Sequence, residues 1–128
     1  MTDIVIAAAA RTPIGNFNGG LASLPAHVLG SIAIGEALKR AGIAPAEVDE
    51  VVMGHILQAG AGQGPARQAA IAAGIPVEKT AYSINQLCGS GLRAVALGYQ
   101  GLKTGDAKII VAGGMESMSQ APHCMHLR

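Results

Sequence analysis

Short apolar runs that alternate with helix-like segments constrain the fold of this chain most strongly. The runs are rich in Val, Ile and Ala and have the length of strands that are buried on both faces. The predicted strands are residues 3–9, 51–57, 81–87 and 108–112, and the predicted helices between them are residues 25–41, 65–73 and 89–102. This β-α-β-α-β-α-β order predicts an α/β fold with a mainly parallel sheet covered by helices.

The composition fits a closely packed core and argues against several classes of protein. Hydrophobic residues make up 50% of the chain and aromatic residues 2%, so the core must consist mainly of Ala, Val, Ile and Leu. The formal net charge is +1, and no long basic stripe offers a surface for nucleic acid. No apolar stretch reaches the ~20 residues of a membrane span, and the first residues lack a basic signal segment. We therefore expect a cytoplasmic protein that binds neither nucleic acid nor a membrane.

Cys88 lies where a predicted buried strand ends and a predicted helix begins. The first N–H groups of the helix and the positive end of its dipole would face the sulfur, and both favour the nucleophilic thiolate. Gly89 and Gly91 allow a sharp turn and the close approach of a substrate. Cys88 is therefore a candidate nucleophile, and the alternative from the residues alone is a small buried core cysteine. Cys88 and Cys124 are the two cysteines of the chain, which are too few for a disulfide framework.

Two other motifs suggest a cofactor or a metal but fail in detail. The glycine-rich loop at 60–64 lies between a strand and a helix, as in dinucleotide-binding proteins. However, Pro65 takes the place of the third glycine, and the loop follows the second predicted strand rather than the first. His123, Cys124 and His126 are potential metal ligands without the usual spacing. We expect no cofactor and no metal.

Glu116 and Ser117 lie just past the fourth predicted strand. At that place their side chains either line a site or bind backbone groups at the end of the strand. We expect the second role for both residues.

Four stretches of the chain resemble the thiolase family, in order and over essentially its whole length. They are IVIAAAARTPIGNFNGG at 4–20, GQGPARQAA at 62–70, NQLCGSGLRAVALG at 85–98 and VAGGMESMSQAPHCMHLR at 111–128. The last is similar to biosynthetic members. The resemblance implies a thiolase-like fold, of which this chain supplies one βαβαβαβ half. Residues 1–118 would form the nucleophile-bearing N-terminal domain and residues 119–128 would begin a loop domain, with the rest of the enzyme beyond Arg128.

The resemblance also implies acetyl-CoA C-acetyltransferase activity with Cys88 as nucleophile. In the family, the corresponding cysteine takes an acetyl group from acetyl-CoA, and the carbanion of a second acetyl-CoA attacks it to form acetoacetyl-CoA and CoA. Coenzyme A thioesters are thus substrates rather than cofactors. The family's histidine, second cysteine and oxyanion-binding Asn come from later sequence. None of the four histidines here occupies a matching motif; they are His27, His55, His123 and His126.

Further expectations follow from the same resemblance. Family members form homodimers or homotetramers, and the loop at 60–64 would lie near the subunit interface, with Arg67 in a structural ion pair. Two alternatives stay open: a non-catalytic fragment that acts only in assembly, and a degradative 3-ketoacyl-CoA thiolase of broader chain length. A histidine and a second cysteine supplied beside Cys88 by another segment would favour an enzyme over the fragment.

Overall fold

The computed structural model describes residues 3–127. Met1, Thr2 and Arg128, which fall at the outer ends of the predicted domains 1–118 and 119–128, lie outside the described residues. The elements are α1 (Ala26–Ala41), β1 (Glu50–Gly54), α2 (Pro65–Ala72), β2 (Thr80–Ile84), α3 (Ser90–Thr104) and β3 (Ile110–Gly114), with short 3-10 turns at Pro45–Glu47 and Met118–Gln120. Among these helices, none is long and apolar enough to cross a membrane.

Helix α1 shows how local sequence sets the bounds of an element. Pro25 precedes its first turn in an extended conformation, where the missing N–H of proline has no cost. Gly42 ends the helix in the left-handed region at φ 68°, and its N–H donates to the carbonyls of Leu38 and Lys39. The buried stripe repeats every four residues and comprises Ala26, Gly30, Ile34 and Leu38. This stripe packs α1 against α2.

The sheet is parallel throughout, and its order is β2-β1-β3. The central strand β1 is buried on both faces, since Val51 and Val52 are both fully buried. Val51 and Met53 belong to the core cluster formed with α1 and α2. Side chains alternate along a strand, so Val52 and Gly54 face the opposite side, where α3 lies. The result is a sheet between two layers of helices, which confirms the predicted fold class.

Helix α3 approaches the sheet very closely at its first turn. A Cβ added at Gly54 of β1 would lie 2.5 Å from the carbonyl carbon of Ser90, so only glycine fits there. The buried face of the helix consists of the small residues Ser90, Ala94 and Gly98. The larger apolar side chains of this helix point outward, with Leu92 exposed by 78% and Tyr99 by 50%. Small residues therefore bring the start of α3 onto the ends of the strands.

The predicted first strand at 3–9 is wrong. The segment has no strand structure, and Val5 and Ile6 are exposed by 74% and 79%. A strand needs a neighbour for its N–H and C=O groups, and nothing within residues 3–127 pairs with this segment. The last strand, by contrast, extends two residues past its predicted end and includes Gly113 and Gly114.

Candidate active site

The turn between β2 and α3 carries Cys88, whose free thiol is exposed. Ser90 joins the two ends of this turn through hydrogen bonds. Its Oγ donates to the carbonyl oxygen of Leu87 at 2.6 Å and accepts the N–H of Gln86 at 2.8 Å. Its N–H donates to the same Leu87 oxygen at 3.0 Å, and the N–H of Gly89 donates to Gln86 at 3.2 Å. Cys88 thus lies at the crest of a turn whose two ends are joined by hydrogen bonds.

Leu87, directly before the cysteine, adopts the left-handed conformation at φ 52°. This region is sterically unfavourable for a residue with a Cβ and costs on the order of 1–3 kcal/mol. The side-chain oxygen of Asn85 accepts the N–H of Leu87 at 3.0 Å and supports this conformation. The predicted place of Cys88 at a strand-to-helix turn is confirmed, whereas its reactivity stays a prediction.

Two further polar residues lie at the same carboxyl edge of the sheet. Glu116 follows β3, and its two carboxylate oxygens accept the N–H groups of Ile56 at 2.9 Å and Leu57 at 3.2 Å. His55 follows β1, is exposed by only 2%, and places its Nε2 3.3 Å from Glu116 Oε1. Burial lowers the pKa of His55, and the charge of Glu116 opposes this effect in part. Burial therefore favours the neutral ring, whose Nε2 faces the carboxylate.

The expected backbone roles of Glu116 and Ser117 are confirmed. Ser117 Oγ donates to the carbonyl oxygen of Leu24 at 2.8 Å, and Glu116 binds the loop after β1 as described. Sequence reasoning missed His55 and the side chain of Asn85. Both lie inside the predicted strands 51–57 and 81–87, whereas the observed strands β1 and β2 end three residues earlier, directly before His55 and Asn85. The signal that could have found them is a polar side chain that interrupts an apolar run near its carboxyl end.

Arg67, for which the sequence predicts a structural ion pair, makes backbone hydrogen bonds in the described part of the chain. Its guanidinium donates to the backbone carbonyl oxygens of Val77 and Lys79 and, among the described residues, is paired with no carboxylate. The segment before β2 supplies inward carbonyl groups that no strand uses, and the five N–H donors of arginine suit them well. Arg67 therefore fixes the segment directly before β2 through hydrogen bonds to its backbone.

The other two motifs form ordinary loop structure. Gly60, Gly62 and Gly64 all have left-handed backbone conformations, so the loop curves tightly. Gln68 fills this curve, because its Nε2 donates to the carbonyls of Ala61 at 2.8 Å and Gln63 at 3.0 Å. His123, Cys124 and His126 are all exposed, and residues 3–127 contain no group of three or more His, Cys, Asp or Glu that could hold a metal ion.

Comparison with known proteins gives the family. Residues 4–128 match the family model described as thiolase, N-terminal domain. The chain belongs to the thiolase family. It is similar to proteins named acetyl-CoA acetyltransferase: 66% identical over 125 residues to that of Rhizobium meliloti and 63% over 126 residues to that of Shinella zoogloeoides. A cytosolic relative from Rattus norvegicus is 56% identical over 125 residues.

The aligned residues cover 98% of this chain in each comparison, but 32% of each relative. The thiolase-family chain thus spans about a third of the length of the curated relatives it matches. The resemblance found in the sequence is confirmed. Chemically, this thiolase domain presents an exposed thiol at a helix N-terminus, a place suited to accept an acyl group. Within residues 3–127 no side chain forms a hydrogen bond with that thiol, so the described residues offer no base in contact with it.

Proposed function

We propose that the chain is the nucleophile-bearing part of an acetyl-CoA acetyltransferase and that Cys88 takes up the acetyl group. The observation that carries the proposal is the exposed thiol in a strained, hydrogen-bonded turn at the start of α3. Local strain persists where the surrounding structure holds it and is common at active sites. The names of the similar proteins favour acetyl-CoA as the donor.

The reaction proceeds in two halves. The thiolate of Cys88 attacks the thioester carbonyl of acetyl-CoA, a new S–C bond forms, the bond to the CoA sulfur breaks, and CoA leaves as its thiol after taking a proton. A second acetyl-CoA then loses a methyl proton to a base, and its carbanion attacks the acetyl group on Cys88. The bond to Cys88 breaks, and acetoacetyl-CoA leaves. The reverse direction cleaves acetoacetyl-CoA with CoA.

The turn contributes to this chemistry in two ways. The positive end of the α3 dipole lies at the turn of Cys88 and favours negative charge on the thiolate and on the developing oxyanion. The exposed position of Cys88 leaves room for a bulky thioester. The base and the remaining oxyanion donors come from residues outside 3–127. The working enzyme is a cytoplasmic homodimer or homotetramer, and the word cytosolic in the name of the rat relative supports that compartment.

Acetyl transfer to the cysteine is the direct test. Incubation of the full-length protein with acetyl-CoA is expected to add one acetyl group to the peptide that contains Cys88, as read by mass spectrometry. Cys88→Ala should abolish this adduct and acetoacetyl-CoA cleavage together. Cys88→Ser should react far more slowly, because a hydroxyl is a poor nucleophile without strong help from a base.

Cys124→Ala is the matched control, since it removes the other exposed cysteine and should leave acetylation at Cys88 unchanged. Full cleavage activity in Cys88→Ala would end the proposal. A wild-type protein that takes no acyl group from any CoA thioester would favour a purely structural role in assembly. Faster acylation from longer 3-ketoacyl-CoA than from acetoacetyl-CoA would change the substrate but keep the nucleophile.

A further inference from the structure

Glu116 is the centre of a partly buried group of polar contacts that joins the ends of two strands. Its carboxylate accepts the N–H groups of Ile56 and Leu57 and lies against the ring of His55. Only an ionised carboxylate offers acceptors on both oxygens without a proton of its own. The loop after β1 is therefore held to the segment after β3 by a charged side chain.

The same loop also contacts the turn that carries the cysteine. The carbonyl oxygen of Ile56 accepts the side-chain amide of Asn85 at 3.3 Å, and the N–H of His55 donates to the carbonyl of Ile84 at 3.0 Å. The other end of the Asn85 amide accepts the N–H of Leu87. A continuous path of hydrogen bonds thus runs from Glu116 through Ile56 and Asn85 to the strained residue before Cys88.

We propose that Glu116 is a positioning residue for Cys88, acting through Ile56 and Asn85 on the left-handed backbone of Leu87; this inference rests on the proposed function. The conformation of Leu87 is unfavourable without support, so loss of the Asn85 contact lets it relax into a commoner region. The sulfur of Cys88 then moves relative to the N–H groups of α3. Displacements of about 1 Å at a reacting group are enough to reduce rates strongly.

His55 completes this arrangement. Its ring lies against Glu116 and covers part of that side chain, which is exposed by 24%, while the Nδ1 of His55 is buried without a partner among the described residues. Because charge-assisted hydrogen bonds strengthen where water is partly excluded, this contact favours the hydrogen bonds of Glu116 to the loop over hydrogen bonds to solvent.

The test measures the rate at which iodoacetamide alkylates Cys88 in the full-length protein, with exposed Cys124 as the internal reference. Glu116→Gln leaves one acceptor oxygen and places an amide donor against a backbone donor, and Asn85→Ala removes the next step of the path. Each variant is expected to lower the ratio of the Cys88 and Cys124 alkylation rates by roughly 5–10-fold. The double variant should lower this ratio no further than the slower single variant does, because both act on one path. Removal of the negative charge by itself would favour the thiolate and raise the ratio, so a decrease reports positioning.

Two controls accompany these variants. Glu36→Gln removes a carboxylate from α1 whose partner is Arg40 at 2.7 Å, and it should leave the ratio unchanged. Asn85→Ser keeps an oxygen acceptor for the N–H of Leu87 and should recover part of the rate lost in Asn85→Ala. Thermal unfolding of every variant separates these effects from a general loss of structure. Asn85 is exposed, so its variants decide the matter even where Glu116→Gln unfolds.

An unchanged or raised ratio in Asn85→Ala or in folded Glu116→Gln, or effects that simply multiply in the double variant, would overturn the proposal. Acetylation of wild-type Cys88 by acetyl-CoA, measured in parallel, keeps the two hypotheses apart. Coupled variants in a protein that takes no acetyl group would refute the proposed function and support the positioning path. Normal acetylation with uncoupled variants would refute the path alone.

Discussion

Gly54 sets the distance between the central strand and the helix that begins after Cys88. The space next to its Cα is filled by backbone, with the carbonyl carbon of Ser90 and the nitrogen of Gly91 within 2.6 Å of where a Cβ would be. Backbone atoms cannot move aside as a flexible side chain does. Because Gly54 has no Cβ, the turn that carries Cys88 can lie this close to the carboxyl edge of the sheet.

Gly54→Ala should destabilise the protein by about 1–3 kcal/mol, because α3 or β1 must shift to accept the new methyl group. Gly35→Ala is the matched control, since a Cβ at this position of α1 meets no atom within 4 Å. It should stabilise by up to about 1 kcal/mol through helix propensity. Denaturant unfolding measures both. Equal stability of the two variants would show that α3 is free to move away from β1.

At the scale of elements, Asp49 joins the beginnings of β1 and β3. Its carboxylate accepts the N–H groups of Lys108 at 2.8 Å and Ile109 at 3.1 Å, while its own N–H donates to the carbonyl of Ile109 at 2.9 Å. The first two hydrogen bonds, helped by nearby Lys79, hold the pKa of Asp49 below its ordinary value. The side chain thus fixes the register of the parallel pair and is ionised in the folded state.

Asp49→Asn should lower the free energy of unfolding at pH 7, because a neutral amide oxygen accepts these hydrogen bonds more weakly. The lowered pKa of Asp49 in the folded state means that its contribution is fully present above pH ~4 and is lost as the pH falls further. The difference between wild type and variant should therefore shrink in acid. Loss of the difference in ~1 M salt at pH 7 would instead attribute it to Lys79.

At the scale of the whole molecule, much apolar surface is uncovered. Nine large apolar side chains are exposed by 69% or more. They lie in the N-terminal segment, before β2, next to the cysteine, on α3 and near residue 125. These residues are Val5, Ile6, Ile14, Phe17, Val77, Leu87, Leu92, Met125 and Leu127. Contiguous apolar patches of a few hundred Å² mark surfaces that bind other protein. These side chains therefore suit contacts with other protein, and the chain spans about a third of the length of the relatives it matches.

Residues 1–128 expressed alone should self-associate and bind a hydrophobic dye. They should also cleave acetoacetyl-CoA at least ~10³-fold more slowly than the full-length protein, because a nucleophile without its base and oxyanion donors loses most of its rate advantage. Light scattering and a thiolysis assay measure these properties. A monodisperse monomer with normal turnover would contradict both the predicted cover and the proposal that the base lies outside residues 3–127.

The amino-acid sequence alone was sufficient for the order of the elements from α1 onward, the parallel sheet and the position of Cys88. Each depends on local signals, such as the helical spacing of α1 and its ends at Pro25 and Gly42. The thiolase resemblance could likewise be found by reading along the chain, since its motifs are continuous segments.

Other features were decided only by the tertiary structure. Segment 3–9 has the composition of a buried strand, but strand structure needs a pairing partner, which composition does not supply. The larger apolar residues of α3 face outward because its small residues contact β1 and β3, with Gly54 against Ser90 and Gly98 against Ile110. The path from Glu116 to Asn85 contains two long-range hydrogen bonds. Glu116 and Ile56 are 60 positions apart in the chain, and Ile56 and Asn85 are 29 positions apart, so no local sequence pattern contains the path. Local periodicity determines what each segment becomes, whereas contacts between distant segments determine which side chains meet at the site.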